Sequence, residues 1–453
     1  MPARSLRSAP CREAPMPSRR STESAPSAPD VRAAAAPAGA AQAWSLAWLT
    51  AAPHRLGFLP AAAMLALTAL WWLVALVARA AGWPVPWAVP PAVAHGLAFA
   101  LAFMPLFMVG FLFTAGPRWM GLPDHTAQPL VPAVATMCVG WPLVLLGLHL
   151  SAGLAALGIL FVALGWSALV RRFFGLLRTS PAADRRHARA AAVAMAVGAL
   201  AMLAAAAGLA LGQPDWTRAV IQIAIWGFLA PIFTTVSHRM IPFFTAGVLP
   251  AVSAWRPYWL LYLMLGTFAV SALGAAAEVL WWPLPWAARA ALLAVQAPAA
   301  LLLLGVVWRW GLVPSMKIRL LGMLHGGFLW FGLALALAAC SQARMLWLGP
   351  EGTLGLAPLH ALTMGYLGCT MIAMTTRVTA GHSGRALEAD SLAWGLYLLV
   401  QGAVLLRVAA VLWQAEAEVL TLLAIAAWAL GGTGWALRYG NWLGRPRVDG
   451  RPG

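Results

Sequence analysis

Twelve runs of apolar residues follow one another between residues 57 and 437 of the chain. Each run is near the length of about 20 residues with which a helix crosses the hydrocarbon core of a bilayer. The pattern predicts an all-α, polytopic integral membrane helix bundle with about twelve transmembrane helices. The predicted spans are 57–79, 88–116, 129–150, 152–171, 188–212, 218–246, 257–280, 285–309, 319–341, 356–380, 391–412 and 417–437.

The composition supports a membrane location. Of the 453 residues, 62% are hydrophobic and only 9% are charged, whereas soluble domains carry about a quarter charged residues. Tryptophans cluster at the ends of apolar runs, as in the pairs Trp71–Trp72 and Trp281–Trp282. This placement is typical of residues at a membrane–water interface.

The chain is expected to have a membrane domain between two tails. Residues 1–45 are rich in Arg, Pro, Ala and Ser without apolar periodicity, which predicts a disordered cytoplasmic tail. No apolar stretch precedes residue 57, so this segment is not expected to be a secretory signal. The membrane domain is expected at 46–440, and a short cytoplasmic tail at 441–453.

The basic residues predict the orientation of the bundle. The formal net charge is +17, but the arginines lie in short loops between apolar runs and therefore do not indicate nucleic acid binding. With the N-terminus in the cytoplasm, all but five of the 30 basic residues fall on the inner side. The five outer ones are Arg79, Arg218, Arg289, Arg344 and Arg407. Both termini are therefore predicted to be cytoplasmic.

Ionisable groups at membrane depth are costly and therefore indicate function. No carboxylate lies in mid-membrane on the predicted spans, since Glu278 and Glu418 stand at helix ends, which argues against a carboxylate-driven ion transporter. Histidines are more frequent than carboxylates in and beside the predicted spans, and histidine is a common haem and metal ligand. A hydrogen bond between neighbouring helices is the alternative role for each one.

The histidines divide by predicted depth. His54, His125 and His187 lie in loops or at helix ends and are expected to be solvated. The other six lie in the outer half, at His95, His149 and His360, or in the inner half, at His238, His325 and His382.

Three similar turns recur every four helices. The second, sixth and tenth spans end on the inner side in TAGPRW at 114–119, SHRMIPFFT at 237–245 and TRVTAGHSGR at 376–385. Such a recurrence is typical of membrane proteins built from internal repeats. The alternative is convergence, because Arg, Thr and Pro suit the end of any helix.

These stretches resemble the NnrS family. The resemblance rests on FLFTAGPRWMG at 111–121, TTVSHRMIPFFT at 234–245 and LHALTMGYLGCTMIAMTTRVTAGHSGRAL at 359–387. It implies a twelve-helix bacterial inner-membrane protein that binds haem and copper and acts in the response to nitric oxide and nitrosative stress. Family members usually open the second helix with His-x-His-Glu-Met. Here the region reads VAHGLAFALAFM at 93–104, so His95 stands without the second His and the Glu.

The outer-half histidines are the predicted cofactor ligands. Two neutral imidazoles from different helices can hold a haem iron axially, and His95 and His360 both begin spans that run from outside to inside. Counted back from Arg118 and Arg377, the two differ by six residues, or about 9 Å of depth at 1.5 Å per residue. His149 is the predicted reserve metal ligand.

A second cofactor-binding site is predicted on the inner side. It comprises His238, Arg239, His325, Arg377, His382 and Arg385. No carboxylate is available there to neutralise the arginines, so a haem propionate, a phosphate or a lipid headgroup is the expected partner. The alternative is that these arginines are orientation signals bonded to helix ends.

Two functions remain open from the sequence. The first is a haem protein, with or without copper, of nitric oxide metabolism or of protection against nitrosative stress. The second is a transporter of a small solute with His and Arg contacts. The histidine pair of haem–copper oxidases in the seventh helix is missing, and residues 360–362 read His-Ala-Leu, so that catalytic centre is not expected.

Overall fold

The structure is a computed structural model that describes residues 43–450. The predicted tail at 1–45 lies almost wholly outside the described residues. Within them, twelve helical segments are long and apolar enough to cross a membrane, and no strand occurs. This confirms the predicted all-α bundle. The segments are α1 Pro53–Ala80, α2 Pro91–Trp119, α3 Gln128–Leu150, α4 Ala152–Thr179, α5 Arg186–Ala210, α6 Pro214–Val248, α7 Tyr258–Leu280, α8 Trp286–Arg309, α9 Arg319–Leu348, α10 Pro350–His382, α11 Ser391–Leu412 and α12 Gln414–Leu443.

The observed helices follow the predicted spans, with the largest differences at helix ends. Helix α9 continues to Leu348, past the predicted end at residue 341, and α12 continues to Leu443. The polar residue Gln342 interrupts the apolar run but does not end α9. It is buried because its side chain bonds to Glu278 and Arg289 on two neighbouring helices.

Sequence neighbours pack closely, as in α3 with α4 and α11 with α12, and α1 also packs against α12. The Ser45 N–H donates to the Gly444 carbonyl oxygen at 2.9 Å, so both ends of the described chain meet on one side. We call this side the terminal face and the opposite side the distal face. Even-numbered helices therefore run from the distal face to the terminal face.

Helices α2, α6 and α10 form the centre of the bundle. Their most apolar stretches are 83%, 78% and 78% buried within the protein, and only α9, at 72%, approaches these values. The remaining helices are between 28% and 56% buried. Residues on the three central helices therefore have protein neighbours on most sides.

Each central helix is irregular in its distal half. Helix α2 breaks at residues 102–103, and single π-helical segments occupy Ala224–Leu229 of α6 and Ala361–Gly368 of α10. Pro105 and Pro231 follow the first two irregularities by two residues. Proline lacks an N–H and its ring clashes with the preceding turn, and a local π segment or break accommodates this.

Candidate functional site

The distal end of the bundle contains a cavity of about 540 Å³. Its lining residues come from six helices, α1, α2, α6, α10, α11 and α12. Sites for cofactors and small molecules commonly have volumes of about 300–1,000 Å³. The cavity is therefore large enough for an organic cofactor.

His95 and His360 face each other across this cavity. Their ring centroids lie 6.5 Å apart with the ring planes 24° from parallel. A metal held at about 2 Å from a nitrogen of each ring would separate the centroids by about 6 Å once the ring radii are added. The observed distance fits one metal ion between the two imidazoles.

Each ring of this pair keeps a nitrogen without a hydrogen-bond partner among residues 43–450. His360 Nδ1–H donates to the Leu356 carbonyl oxygen at 2.9 Å, which leaves the lone pair of Nε2 free in the neutral ring. Such a bond is the usual way in which a ligating histidine is oriented. His95 Nδ1 is buried without a hydrogen-bond partner among the described residues.

The predicted depth difference does not separate the two rings. Arg118 lies one residue before the end of α2, whereas Arg377 lies five residues before the end of α10. Counted from the helix ends, His95 and His360 differ by only two residues, or about 3 Å. The predicted difference was too large because Arg118 and Arg377 lie at different distances from the ends of their helices.

Aromatic side chains form much of the cavity wall. The His95 ring stacks on Trp72 with centroids 4.5 Å apart, and the Phe99 ring lies 4.5 Å away on another side. Phe103 and Trp428 also line the cavity. The three irregular segments contribute as well, since Met104, Leu229 and Met364 lie within them or next to them. Irregular helical turns of this kind are frequent at functional sites.

Three arginines line the same cavity, and sequence reasoning missed them as site residues. They are Arg79, Arg218 and Arg407, three of the five basic residues placed on the outer side. In the sequence they appear only as basic residues on the outer side, against the general preference of basic residues for the inner side. The signal that could have identified them is that each lies near the distal end of a helix, at the same level as the predicted histidines.

His149 has a different environment from the pair. The Trp71 Nε1–H donates to its Nε2 at 2.9 Å, and its Nδ1–H donates to the Pro86 carbonyl oxygen at 2.8 Å. Both ring nitrogens are thereby used in joining α1, α3 and the loop before α2. The structure places this predicted reserve ligand outside the cavity lining.

Four of the six predicted inner-site residues surround the terminal-face end of α6. His238 and Arg239 belong to α6, and His325 Nε2–H donates to the Thr245 hydroxyl at 2.9 Å. The Arg377 guanidinium lies 4.0 Å from the centre of the Phe244 ring. Arg239 lies 5.3 Å from the ring centre of Trp119.

The other two inner-site residues lie where α10, α12 and the start of α1 meet. The His382 ring centroid is 4.4 Å from that of His54, and Arg385 lies 4.3 Å from the ring centre of Trp442. No hydrogen bond, ion pair or ring contact among residues 43–450 joins the two groups. The structure thus divides the six residues into two groups, each with aromatic or histidine partners.

Two histidines expected to be solvated are buried. His54 and His187 are only 2% and 3% exposed. His187 Nε2–H donates to His238 Nδ1 at 3.0 Å, and His238 Nε2–H donates to the Pro257 carbonyl oxygen at 3.1 Å. The prediction was wrong because both residues begin helices whose first turns pack inside the bundle.

Residues 43–450 contain no group of three or more His, Cys, Asp or Glu side chains placed to hold a metal ion. The protein therefore offers no such multi-ligand metal centre in this region. Haem differs, because its ring supplies four ligands and the protein needs to supply only one or two. The facing pair His95 and His360 meets that lesser requirement.

The comparisons with known proteins agree with the sequence motifs. A family model described as NnrS protein matches residues 48–447, which is most of the chain. No curated protein sequence matches significantly.

Proposed function

The chain belongs to the NnrS family, and on this premise we propose that it binds haem in the distal cavity, where His95 and His360 are the residues that would hold the iron. The observation that carries the proposal is the facing pair of rings, 6.5 Å apart at the wall of a cavity of about 540 Å³. When haem is bound, its iron would bind small ligands or carry out one-electron chemistry.

The surroundings of the pair fit this role. The Leu356 carbonyl fixes the orientation of the His360 ring, and His95 is held between Trp72 and Phe99. These contacts hold both imidazoles before any cofactor arrives, so that little reorganisation is needed on binding.

The family supports a role in nitric oxide metabolism or in protection against nitrosative stress, with copper as a further metal. The paired rings do not by themselves select between a redox enzyme, a sensor and a factor that preserves other metal centres. Haem binding is the step shared by all three, and it is the step that can be tested directly.

The test is the absorption spectrum of purified protein supplied with haem. We expect a Soret band that the His95→Ala, His360→Ala double variant loses. His149→Ala is the matched control, because it removes a distal histidine whose ring nitrogens are both used in hydrogen bonds. Full Soret absorbance in the double variant would contradict the proposal.

A second candidate function is transport of a small solute. It is favoured by the broken central helices, because transporter sites are often formed where membrane helices are interrupted. Here the break in α2 and the π segments of α6 and α10 all adjoin the cavity. A protein that stays colourless after haem supply and carries no metal would favour transport.

A further inference from the structure

Arg407 is a charged side chain at membrane depth without a protein partner. It lies five residues before the end of α11 at Leu412, about 8 Å from that helix end at 1.5 Å per residue. Its guanidinium makes no hydrogen bond or ion pair with any other residue of 43–450, and its charge acts on both His95 and His360. A charge at such depth is costly unless it is paired or reaches water.

The rest of the cavity lining offers no negative charge. Arg79 and Arg218 are exposed at the distal rim, and only Arg218 has an acidic partner, Asp215, at 3.1 Å. The lining contains three arginines and no Asp or Glu. The cavity therefore has an apolar, aromatic interior and a positive rim.

The two remaining distal arginines show that this arrangement is particular to the cavity. Arg289 bonds to Glu278 and Gln342, at 3.1 and 3.2 Å. Arg344 Nε–H donates to the Gly352 carbonyl oxygen at 3.0 Å. Both have protein acceptors, whereas Arg407 has none among the described residues. The missing acceptor at Arg407 is thus the kind that a bound ligand can supply.

We propose that the cavity binds a planar aromatic ligand that carries carboxylates on one edge. These carboxylates point to the distal face and bind Arg407, with Arg79 and Arg218 at the rim. The inference rests on the proposed function and gives the ligand its orientation: a tetrapyrrole would lie with its carboxylate edge at the distal rim and its apolar edge inside the cavity. Guanidinium groups suit this role because they bind carboxylates through two parallel hydrogen bonds. The proposal puts the anion contact at the distal rim, whereas the sequence predicted it on the inner side.

The test compares metal-free protoporphyrin IX with its dimethyl ester, which has the same ring but no carboxylate charge. Binding to the purified full chain in nanodiscs is followed by porphyrin fluorescence. We expect the wild type to bind the diacid at least about tenfold more tightly than the ester. Arg407→Met should weaken the diacid by about tenfold and leave the ester unchanged.

Two further variants keep the test decisive. Arg344→Met removes a distal arginine outside the cavity lining and should leave diacid binding unchanged. If Arg407→Met misfolds, Arg407→Lys takes its place in the test, because it keeps the charge and should retain part of the diacid binding. Equal wild-type affinity for diacid and ester would overturn the inference, as would an unchanged diacid affinity in a folded Arg407→Met protein.

The result separates this inference from the proposed function. Iron ligation is read from the dependence of the Soret band on His95 and His360, and metal-free porphyrin does not report it. A diacid preference together with a Soret band independent of both histidines would refute the axial ligands and support the rim. A histidine-dependent Soret band without a diacid preference would do the reverse. Binding of neither the diacid nor the ester would overturn this inference, and a protein that in addition shows no Soret band with haem would contradict both.

Discussion

Hydrogen bonding at the ring nitrogens separates His149 and His238 from the two histidines of the cavity. Both nitrogens of His149 and of His238 are hydrogen-bonded, which identifies them as links between helices. His95 has an unpartnered Nδ1, and His360 has one bonded nitrogen and faces the cavity. The sequence gives the depth of a histidine but not its partners, since those come from other helices.

Helices α1 and α2 approach closely at a pair of glycines. A Cβ added to Gly57 would lie 2.4 Å from the Gly110 backbone nitrogen and 2.6 Å from the Leu106 carbonyl oxygen. These contacts are with backbone, so the helices must separate to relieve them. We expect Gly57→Ala to lower the free energy of unfolding by about 1–3 kcal/mol, the usual cost of overpacking.

Gly266 provides the control for this substitution. A Cβ there would meet nothing within 4 Å, and alanine is a better helix former than glycine by about 1 kcal/mol. Gly266→Ala should therefore leave the thermal midpoint in detergent unchanged or raise it. If Gly57→Ala and Gly266→Ala unfold at the same temperature, the close approach of α1 and α2 is not as described.

At the scale of the helix, the apolar pattern predicts most spans but not their irregularities. The prediction for α11 matches the structure at both ends, since the run is bounded by polar residues on each side. The break in α2 and the π segments of α6 and α10 lie inside uniformly apolar stretches. Pro105 and Pro231 are the sequence signals for two of them, and the third, at Ala361–Gly368, has no proline after it.

These three irregularities bear on the recurrence of inner-end motifs every four helices. They occur in the same helices as the motifs, α2, α6 and α10, and in each case toward the distal end. Convergent use of Arg and Thr at helix ends accounts for the motifs alone. It gives no reason for a break or π segment at a similar height in each helix, so the structure favours an internal repeat of three four-helix groups.

The N-terminus of α11 depends on a capping aspartate outside the membrane span. Asp390 Oδ1 accepts a hydrogen bond from the Ala393 N–H at 2.9 Å, and its other oxygen accepts one from Arg438 of α12. Asp390→Ala should reduce the free energy of unfolding by about 1 kcal/mol, as is usual for loss of an N-cap. Glu388→Ala, at an exposed position two residues earlier, should have no such effect.

The same aspartate predicts a dependence on pH. The Ala393 N–H, followed by Arg438, lowers the pKa of Asp390 below its ordinary value. Because the folded-state pKa is the lower one, the stabilisation is complete above the ordinary aspartate pKa of about 3.9 and is lost as the pH falls through the folded value. The difference in stability between the wild type and Asp390→Asn should thus begin to fall below about pH 4 and vanish only at a pH below the folded-state pKa of Asp390. A difference that persists at lower pH would show that the charge of Asp390 is not its cause.

For the whole molecule, the structure shows that both chain ends share one face, and the charges predict which side of the membrane that face occupies. Of the basic residues within 43–450, all but five lie toward the terminal face, and on this basis we predict that this face is cytoplasmic. Reporter fusions at residue 184 and at the C-terminus should both report a cytoplasmic location. A periplasmic signal from either would refute this orientation.

The site could be predicted from the sequence only in part. His95 and His360 could be chosen because both begin central helices that run in the same direction. The rim arginines could not, because their common neighbourhood depends on how α1, α6 and α11 pack around the cavity. The division of the inner residues into two groups also depends on packing, since charge and helix position alone place them at one depth.

The meeting of Ser45 and Gly444 means that the folded bundle has no required first helix. A short linker could join the two ends of the described chain, because α1 already packs against α12. Opening the resulting closed chain at Ala182, in a loop of the terminal face, gives a circular permutant whose cut and closure lie on the same side. Every helix then keeps its direction across the bilayer, and the six helices that line the cavity remain intact. The order in which the ribosome delivers the helices would change, while the site that they form would not.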